Sequence, residues 1–283
     1  MFSRLRERLG DRSDFALVFL IWLFFASVGG LVTAFFLKGH FPFVNAKQGL
    51  ASDQAILILL FYACVDFFAL VVPIVYSAVR WRERGGWPGE QGDSPVQRRS
   101  HRIFPAAWTS YALGIGTLAI IFPGVTGLLD IWGTINAKQQ LVVNVTGKQW
   151  EWDFSYPASH VKSTDELVVP VGENIRFNVA SADVDHSFWV PAWRVKWDAI
   201  PGEVRPVTFT LTRTASTFNQ PLLRVQCAEL CGAGHQDMQA VIYAVTPAQF
   251  HAWIRREQAQ AAYKKALMKK VKHRNPSSAP TDL

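Results

Sequence analysis

Cys227, Cys231, His235 and Met238 fall within the twelve residues Cys227-Ala-Glu-Leu-Cys-Gly-Ala-Gly-His-Gln-Asp-Met238. Two thiols, an imidazole and a thioether in so short a run form a soft donor set. Thiolate and thioether favour Cu(I) and imidazole accepts Cu(II), so this set suits copper that cycles between the two states. One copper needs one thiolate, whereas two thiolates four residues apart can bridge two metals. The run therefore predicts a binuclear copper centre that moves electrons. Gly232 and Gly234 let the backbone turn tightly between donors. One more strong ligand is needed, and His186 is the best candidate, in Ser181-Ala-Asp-Val-Asp-His-Ser-Phe-Trp-Val-Pro191. His160, on a polar loop, and His251, in a predicted helix, have no comparable setting. Two alternatives stay open. A structural zinc site would use two Cys and two His, but this spacing is unusual for zinc and leaves the methionine without a role. A mononuclear blue-copper site needs one Cys and leaves the second unexplained.

Such a centre needs a rigid frame, and the second half of the chain supplies one. Short β-branched runs at 141–147, 149–156, 166–169, 174–180, 206–211, 222–226 and 239–245 are separated by Gly, Pro, Asp and Asn. This spacing predicts an all-β sandwich or barrel. The cysteine run follows the strand at 222–226, and the His186 segment follows the strand at 174–180. Thr246-Pro-Ala-Gln249 starts a helix with capping-box character. That helix is predicted from 247 to about 272, with Phe250, Trp253 and Ile254 facing the domain. Its later turns are lysine-rich and predicted to be solvated, and the Pro- and Ser-containing tail at 275–283 reads as disordered.

The first half is membrane-like. Runs at 15–37, 55–79 and 106–129 are each long enough to cross a bilayer, and Asp66 is the one charged residue within them. Arg4, Arg6, Arg8 and Arg12 precede the first run, and Arg80, Arg82, Arg84, Arg98, Arg99 and Arg102 lie between the second and third. The short loop at 38–54 has only two lysines. Positive-inside bias puts the N-terminus and the Arg-rich loop in the cytoplasm, and the chain after the third run outside. The first run exceeds a usual signal-peptide core and reads as a retained helix, with cleavage as the alternative. Asp66 reads as a neutral carboxyl bonded to a neighbouring helix, and Cys64 as packing. The expected division is a transmembrane region at 1–137, a β domain at 138–246, and a helix and tail at 247–283.

Three cysteines, one of them inside an apolar run, do not make a disulfide framework. The net charge of +7 would suit nucleic acid. However, residues 139–250 carry 8 Lys/Arg against 11 Asp/Glu, while 251–283 carry 8 against 2. The basic residues flank membrane runs or sit in the tail, which argues against nucleic acid.

Cys-x-Glu-x-Cys-x3-His-x2-Met, formed by Cys227, Glu229, Cys231, His235 and Met238, resembles the binuclear CuA motif of subunit II of haem-copper cytochrome c oxidases. Asp183-Val-Asp-His186-Ser with Val190-Pro191 resembles the family's first-histidine segment. Asp198-Ala-Ile-Pro-Gly202 matches the segment after it, and Gly147-Lys-Gln-Trp-Glu-Trp152 resembles its aromatic segment. The resemblance implies transmembrane helices followed by a cupredoxin-like β-barrel and a C-terminal helix. It implies that Cys227 and Cys231 bridge two coppers, with His186 and Met238 completing one. His235 and the Glu229 carbonyl would complete the other. The Glu229 side chain would face a magnesium shared with subunit I, and Trp150 would be where electrons come in. The implied partners are subunit I with its haem and CuB, subunit III, cytochrome c or a similar periplasmic carrier, and the lipid of a bacterial inner membrane. Electrons would pass to haem, where oxygen is reduced to water with proton translocation. A quinol oxidase subunit II should lack the copper donors. A membrane copper protein without a redox partner is argued against by the three spans and the adjacent tryptophan.

The chain also departs from the family pattern. The usual two spans are preceded here by a third, and Trp108-Thr109 marks the family's second helix. The glutamate often found three residues earlier, at the mouth of a proton channel, is Pro105. Glu151 replaces a common aromatic, and with Asp153, Asp183 and Asp185 it is expected to form a modest acidic patch that steers a basic cytochrome, the alternative being that the basic segment at 251–283 meets an acidic carrier or lipid phosphates.

Overall fold

A computed structural model describes residues 2–38, 40–80, 95–136 and 138–274. The chain divides into two compact units: residues 1–41 with 53–129, and residues 42–52 with 130–283. Three helical stretches are long and apolar enough to cross a membrane, Asp14–Phe35, Lys47–Val79 and Ile103–Leu129, and all but residues 47–52 of them belong to the first unit. Their apolar side chains point outward rather than into a core, as lipid-facing helices require.

Helix α1 (Phe2–Lys38) packs on α2 (Lys47–Arg80). The approach is close at Gly30, where a Cβ would come within 2.5 Å of the Phe61 ring, and at Gly29, where it would come within 2.9 Å of Phe68. Small residues at the crossing let helices meet in lipid, where no hydrophobic force drives them together. The indole of Trp22 donates to the Val65 carbonyl at 3.2 Å, and the Tyr76 hydroxyl to Asp14 at 2.7 Å. Asp66, on α2, accepts a hydrogen bond from Tyr111 on α3 (Pro95–Ala119) at 2.8 Å, the neighbouring-helix contact expected for it. The Cys64 thiol lies 3.4 Å from Thr33 Oγ1, so it makes a polar contact as well as packing. Pro105 sits inside α3. The third apolar run is not one continuous helix. A wide π-type turn over Ile120–Val125, with Phe122 in extended geometry and Pro123 beside it, separates α3 from α4 (Thr126–Asn136). Proline removes a backbone donor and crowds the preceding turn, which breaks a helix even where hydropathy continues. Arg82 and Arg84 of the basic loop, and the tail at 275–283, lie outside the described residues.

The β domain is a sandwich of two sheets. One contains β1 (Leu141–Lys148), β2 (Glu151–Tyr156), β3 (Val161–Thr164), β5 (Asn174–Ser181) and β8 (Arg205–Thr210), in the order β3-β2-β1-β5-β8. The other runs β4-β11-β10-β6-β7. Its strands are β4 (Glu166–Pro170), β6 (His186–Val190), β7 (Val195–Ala199), β10 (Arg224–Cys227) and β11 (Gln239–Val245), and the short β9 (Ala215–Ser216) pairs with β11. Two pairings are parallel, β1 with β5 and β4 with β11. Alternate residues of β1, Val143, Val145 and Gly147, turn inward, the period-2 signal that marked the strand. Between the sheets lies a core of Trp152, Phe154, Phe177, Phe188, Trp193 and Phe209, with Phe177 stacked on Phe188 across the two layers.

The sequence pattern missed β3, β6, β7 and β9 and ran β2 two residues too early, because Gln149 and Trp150 form the β1–β2 turn. In β6 the run Ser187, Phe188, Val190 is buried nearly throughout, so no alternation advertises it. The terminal helix α5 (Pro247–Arg274) begins as expected. Thr246 Oγ1 accepts from the Gln249 amide at 3.3 Å while Gln249 Oε1 accepts from the Thr246 amide at 3.0 Å. Phe250, Trp253 and Ile254 are buried against the domain, with Trp253 edge-on to Tyr156.

Tyr156 ties the two sheets together. Its buried hydroxyl, on β2, donates to the Val168 carbonyl at 2.8 Å and accepts from the Val168 amide at 3.0 Å, on β4. Burial pushes this phenol well above its usual range, so it remains a neutral donor. Tyr156→Phe would leave both Val168 groups unsatisfied and is expected to lower stability by about 1–3 kcal/mol, read as the shift in the thermal denaturation midpoint of the β domain.

Candidate metal centre

Strand pairing assembles the donors. Strands β10 and β11 form an antiparallel hairpin whose register pairs Gln226 with Gln239. Cys227 and Met238 therefore face each other across its mouth, and the Cys227 amide donates to the Met238 carbonyl at 3.1 Å. On the other side β10 pairs with β6, with Cys227 opposite Phe188. His186 opens β6 two residues away, and the Ala228 amide donates to the Ser187 carbonyl at 3.0 Å. His186 is thus the first residue of a strand and Cys227 the last of another. Both were expected on loops.

All five side-chain donors come together. The Cys227 and Cys231 sulfurs lie 3.7 Å apart, too far for a disulfide, and both cysteines are free. His186 Nδ1 is 3.8 Å from the Cys227 sulfur, and His235 Nδ1 is 3.5 Å from the Cys231 sulfur. Met238 Sδ lies 3.8 Å from Cys231, and the Glu229 carbonyl 3.1 Å from the Cys227 sulfur. His186, Cys227 and Cys231 share one sphere, with their donor atoms within 4.8 Å of one another. His235 instead approaches the pair from the Cys231 end. Two sulfurs with an imidazole at each end fit a bridged pair of ions better than one tetrahedral ion. His186, Cys227, Cys231 and Met238 are buried, whereas the Glu229 side chain is exposed. Burial and the neighbouring Cys227 thiol push Cys231 up to about 11. A positively charged ion between the sulfurs is what would let both sit there as thiolates.

The surrounding residues set the geometry. Asp183 Oδ1 lies 2.8 Å from His186 Nε2, which aims Nδ1 at the sulfur. Burial pushes the Asp183 carboxyl up, but hydrogen bonds from the Gln149 amide, His186 and the Val184 amide hold it below the usual carboxylate range. The Gln149 side chain and the Trp150 indole both donate to the Cys231 carbonyl, at 2.7 and 3.2 Å. Trp150 is 42% exposed and covers the loop. Gly234 makes this possible, since a Cβ there would come within 2.5 Å of the Trp150 ring, and Gly232 holds φ +115°. Trp152 is fully buried edge-on to the His186 ring and serves packing.

Asp183 and Gln149 escaped the sequence reading as positioning residues. The Asp-x-x-His spacing was visible, but Asp183 was assigned to a steering patch. That patch is largely engaged: Lys148 pairs with Glu151 at 2.5 Å and Asp153 at 3.0 Å, and Asp183 is turned to His186. Asp183→Ala is expected to weaken metal binding by about 10–100-fold, measured by competition with a chelator of known affinity, with the fold intact by circular dichroism.

A sequence profile described as "Cytochrome C oxidase subunit II, periplasmic domain" matches residues 158–245. The chain is 31% identical to cytochrome c oxidase subunit 2 of Thermostichus vulcanus, over 84% of this chain and 71% of that protein. It is 41% identical to the corresponding Synechocystis subunit, over 40% of this chain and 32% of that protein. Among solved structures, the periplasmic domain of subunit II of cytochrome oxidase (CoxB) of Bradyrhizobium japonicum aligns with 44% of this chain and 97% of its own length, at 33% identity and a TM-score of 0.40. The extent of the Thermostichus match, spanning both apolar helices and β domain, places this chain in the cytochrome c oxidase subunit II family.

Proposed function

We propose that this chain is the electron-accepting subunit of a haem-copper cytochrome c oxidase, carrying a binuclear CuA centre. Family membership makes it an oxidase component and implies association with subunit I. The observation that carries the finer reading is the pair of free, buried thiols 3.7 Å apart with an imidazole at either end. Cys227, Cys231, His186, His235, Met238 and the Glu229 carbonyl would hold the metal. Bound copper supplies a one-electron redox couple, between cytochrome c or a similar periplasmic carrier and the haem of subunit I.

The chain's own residues prepare that step. Burial of the sulfurs keeps water out and limits rearrangement when charge changes. Asp183 fixes the His186 ring. Trp150 is the exposed aromatic nearest the donors and touches the Cys231 carbonyl, which suits it to electron uptake. The exposed Glu229 side chain is available to a magnesium ion shared with subunit I. Residues 1–137, apart from Pro42–Ser52, which pack with the β domain, would anchor the subunit in a bacterial inner membrane beside subunits I and III, with the N-terminus cytoplasmic and the copper domain at 138–246 periplasmic. The helix and tail at 247–283 complete the proposed division. The convergence of every copper donor speaks against a quinol oxidase subunit, which has no use for them.

In the assembled oxidase, Cys227→Ser and His186→Ala are each expected to abolish the mixed-valence copper signal in electron paramagnetic resonance. Cytochrome c oxidation should go with it, while the haem spectra persist. A colourless protein that holds one zinc per chain would overturn the proposal. Lys148→Gln should release Glu151 and Asp153 from their ion pair. Stopped-flow kinetics at low salt should then show faster association with a basic cytochrome and slower association with an acidic one.

A further inference from the structure

We propose that Pro42–Ser52, which comprises the link after the first apolar helix and the first six residues of α2, is an integral strap of the β domain. It buttresses the strand that carries His186, and it fixes the side of the membrane on which the N-terminus lies. The proposal rests on reading the three helices as membrane spans.

The segment looks like an ordinary connector in sequence, yet it is embedded in the domain. Val44, Asn45 and Ala46 are buried, Asn45 and Ala46 completely. The Asn45 amide donates to the Ala192 carbonyl at 3.3 Å, and the Asn45 carbonyl accepts from the Thr212 amide at 2.7 Å. Ala46 makes an antiparallel bridge to Leu211. Gln48 Oε1 accepts from the Thr210 amide at 3.3 Å. Arg194 and Arg213 clamp it from outside, donating to the carbonyls of Pro42 at 2.8 Å and Val44 at 3.1 Å. The Arg213 guanidinium also lies 4.5 Å over the Phe43 ring. Strand β8 is the last strand of its sheet, so the strap satisfies backbone groups at the end of an otherwise open edge.

Asn45 links this edge to the metal centre. Its Oδ1 accepts from the fully buried Trp193 indole at 3.0 Å. Trp193 packs on Phe177, Phe188 and Phe209, with ring centroids 5.5, 6.1 and 4.7 Å away. Phe188 is the register partner of Cys227 and lies two residues from His186 on β6. Asn45 is therefore a positioning residue that acts through Trp193 and Phe188. The topology follows from connectivity. A segment threaded into the domain lies on the domain's side of the membrane. The helix before it then leads to the opposite side, which agrees with the arginine distribution.

The test uses the full-length chain in membranes, loaded with copper. Asn45→Ala should speed hydrogen exchange of the Thr212 amide by about tenfold or more and should shift the copper resonance spectrum. Trp193→Phe should do the same, and the double variant should fall well short of the sum of the two singles, because both remove the Asn45–Trp193 bond, while Asn45→Ala alone also removes the weaker bond to the Arg213 carbonyl at 3.5 Å. Additive effects, or unchanged exchange in Asn45→Ala, would overturn the strap. An unchanged copper spectrum would overturn the positioning role. Should Asn45→Ala fail to fold, the unsubstituted chain still decides the topology. An N-terminal epitope tag should be protease-accessible only from the side opposite the β domain, and accessibility from the same side would refute the proposal. Resistance to alkaline carbonate extraction, measured on the same membranes, reports separately whether the helices span the bilayer.

Discussion

Two buried sulfur atoms held 3.7 Å apart impose the constraint that orders this β domain. Left alone, the Cys231 thiol resists ionisation, because burial and the neighbouring Cys227 thiol both push it upward. Such a pair persists as a metal site only if the frame supplies an imidazole to each end and prevents the sulfurs from closing to a disulfide. The β10–β11 hairpin sets the position of the first sulfur by placing Cys227 opposite Met238. The β10–β6 pairing supplies one of the imidazoles by delivering His186 from a different part of the chain.

Around the sulfurs, polar contacts replace flexibility with direction. Asp183 turns the His186 ring, and the same carboxylate accepts the Gln149 amide, so the β1–β2 turn and the histidine segment are tied to one group. Gln149 and Trp150 then both reach the Cys231 carbonyl. Glycine is required where these elements crowd each other. At Gly147 a Cβ would come within 3.0 Å of the His186 ring, and at Gly234 within 2.5 Å of Trp150. Charge near the exposed tryptophan is correspondingly muted, because Lys148 occupies Glu151 and Asp153.

The apolar unit follows different rules. Its helices expose large apolar residues such as Phe15, Leu31, Phe35 and Leu113 and meet through small residues at Gly29 and Gly30. Among the described residues two carboxyl groups are paired, Asp66 with Tyr111 and Asp14 with Tyr76. In lipid an unpaired polar group would be costly, so pairing is the condition of their presence.

The amino-acid sequence by itself determined the donor inventory, the apolar helices, the all-β character and the helix start at Thr246. Each is a local signal, of residue type, of run length or of alternation between neighbours. His186 could be nominated from its segment, but its partner Asp183 read as surface charge, since nothing local tells which way a carboxylate turns. Strands β6 and β7 were hidden because one is buried on nearly every residue and the other pairs only with it. The strap was hidden for the same reason. Asn45 and Trp193 are 148 positions apart, and only the folded sandwich brings them to 3.0 Å. Tertiary structure alone decided which histidine meets which sulfur, which acidic groups remain free and which connector joins the core, because each depends on pairings between distant segments whose benefit appears only when both are in place.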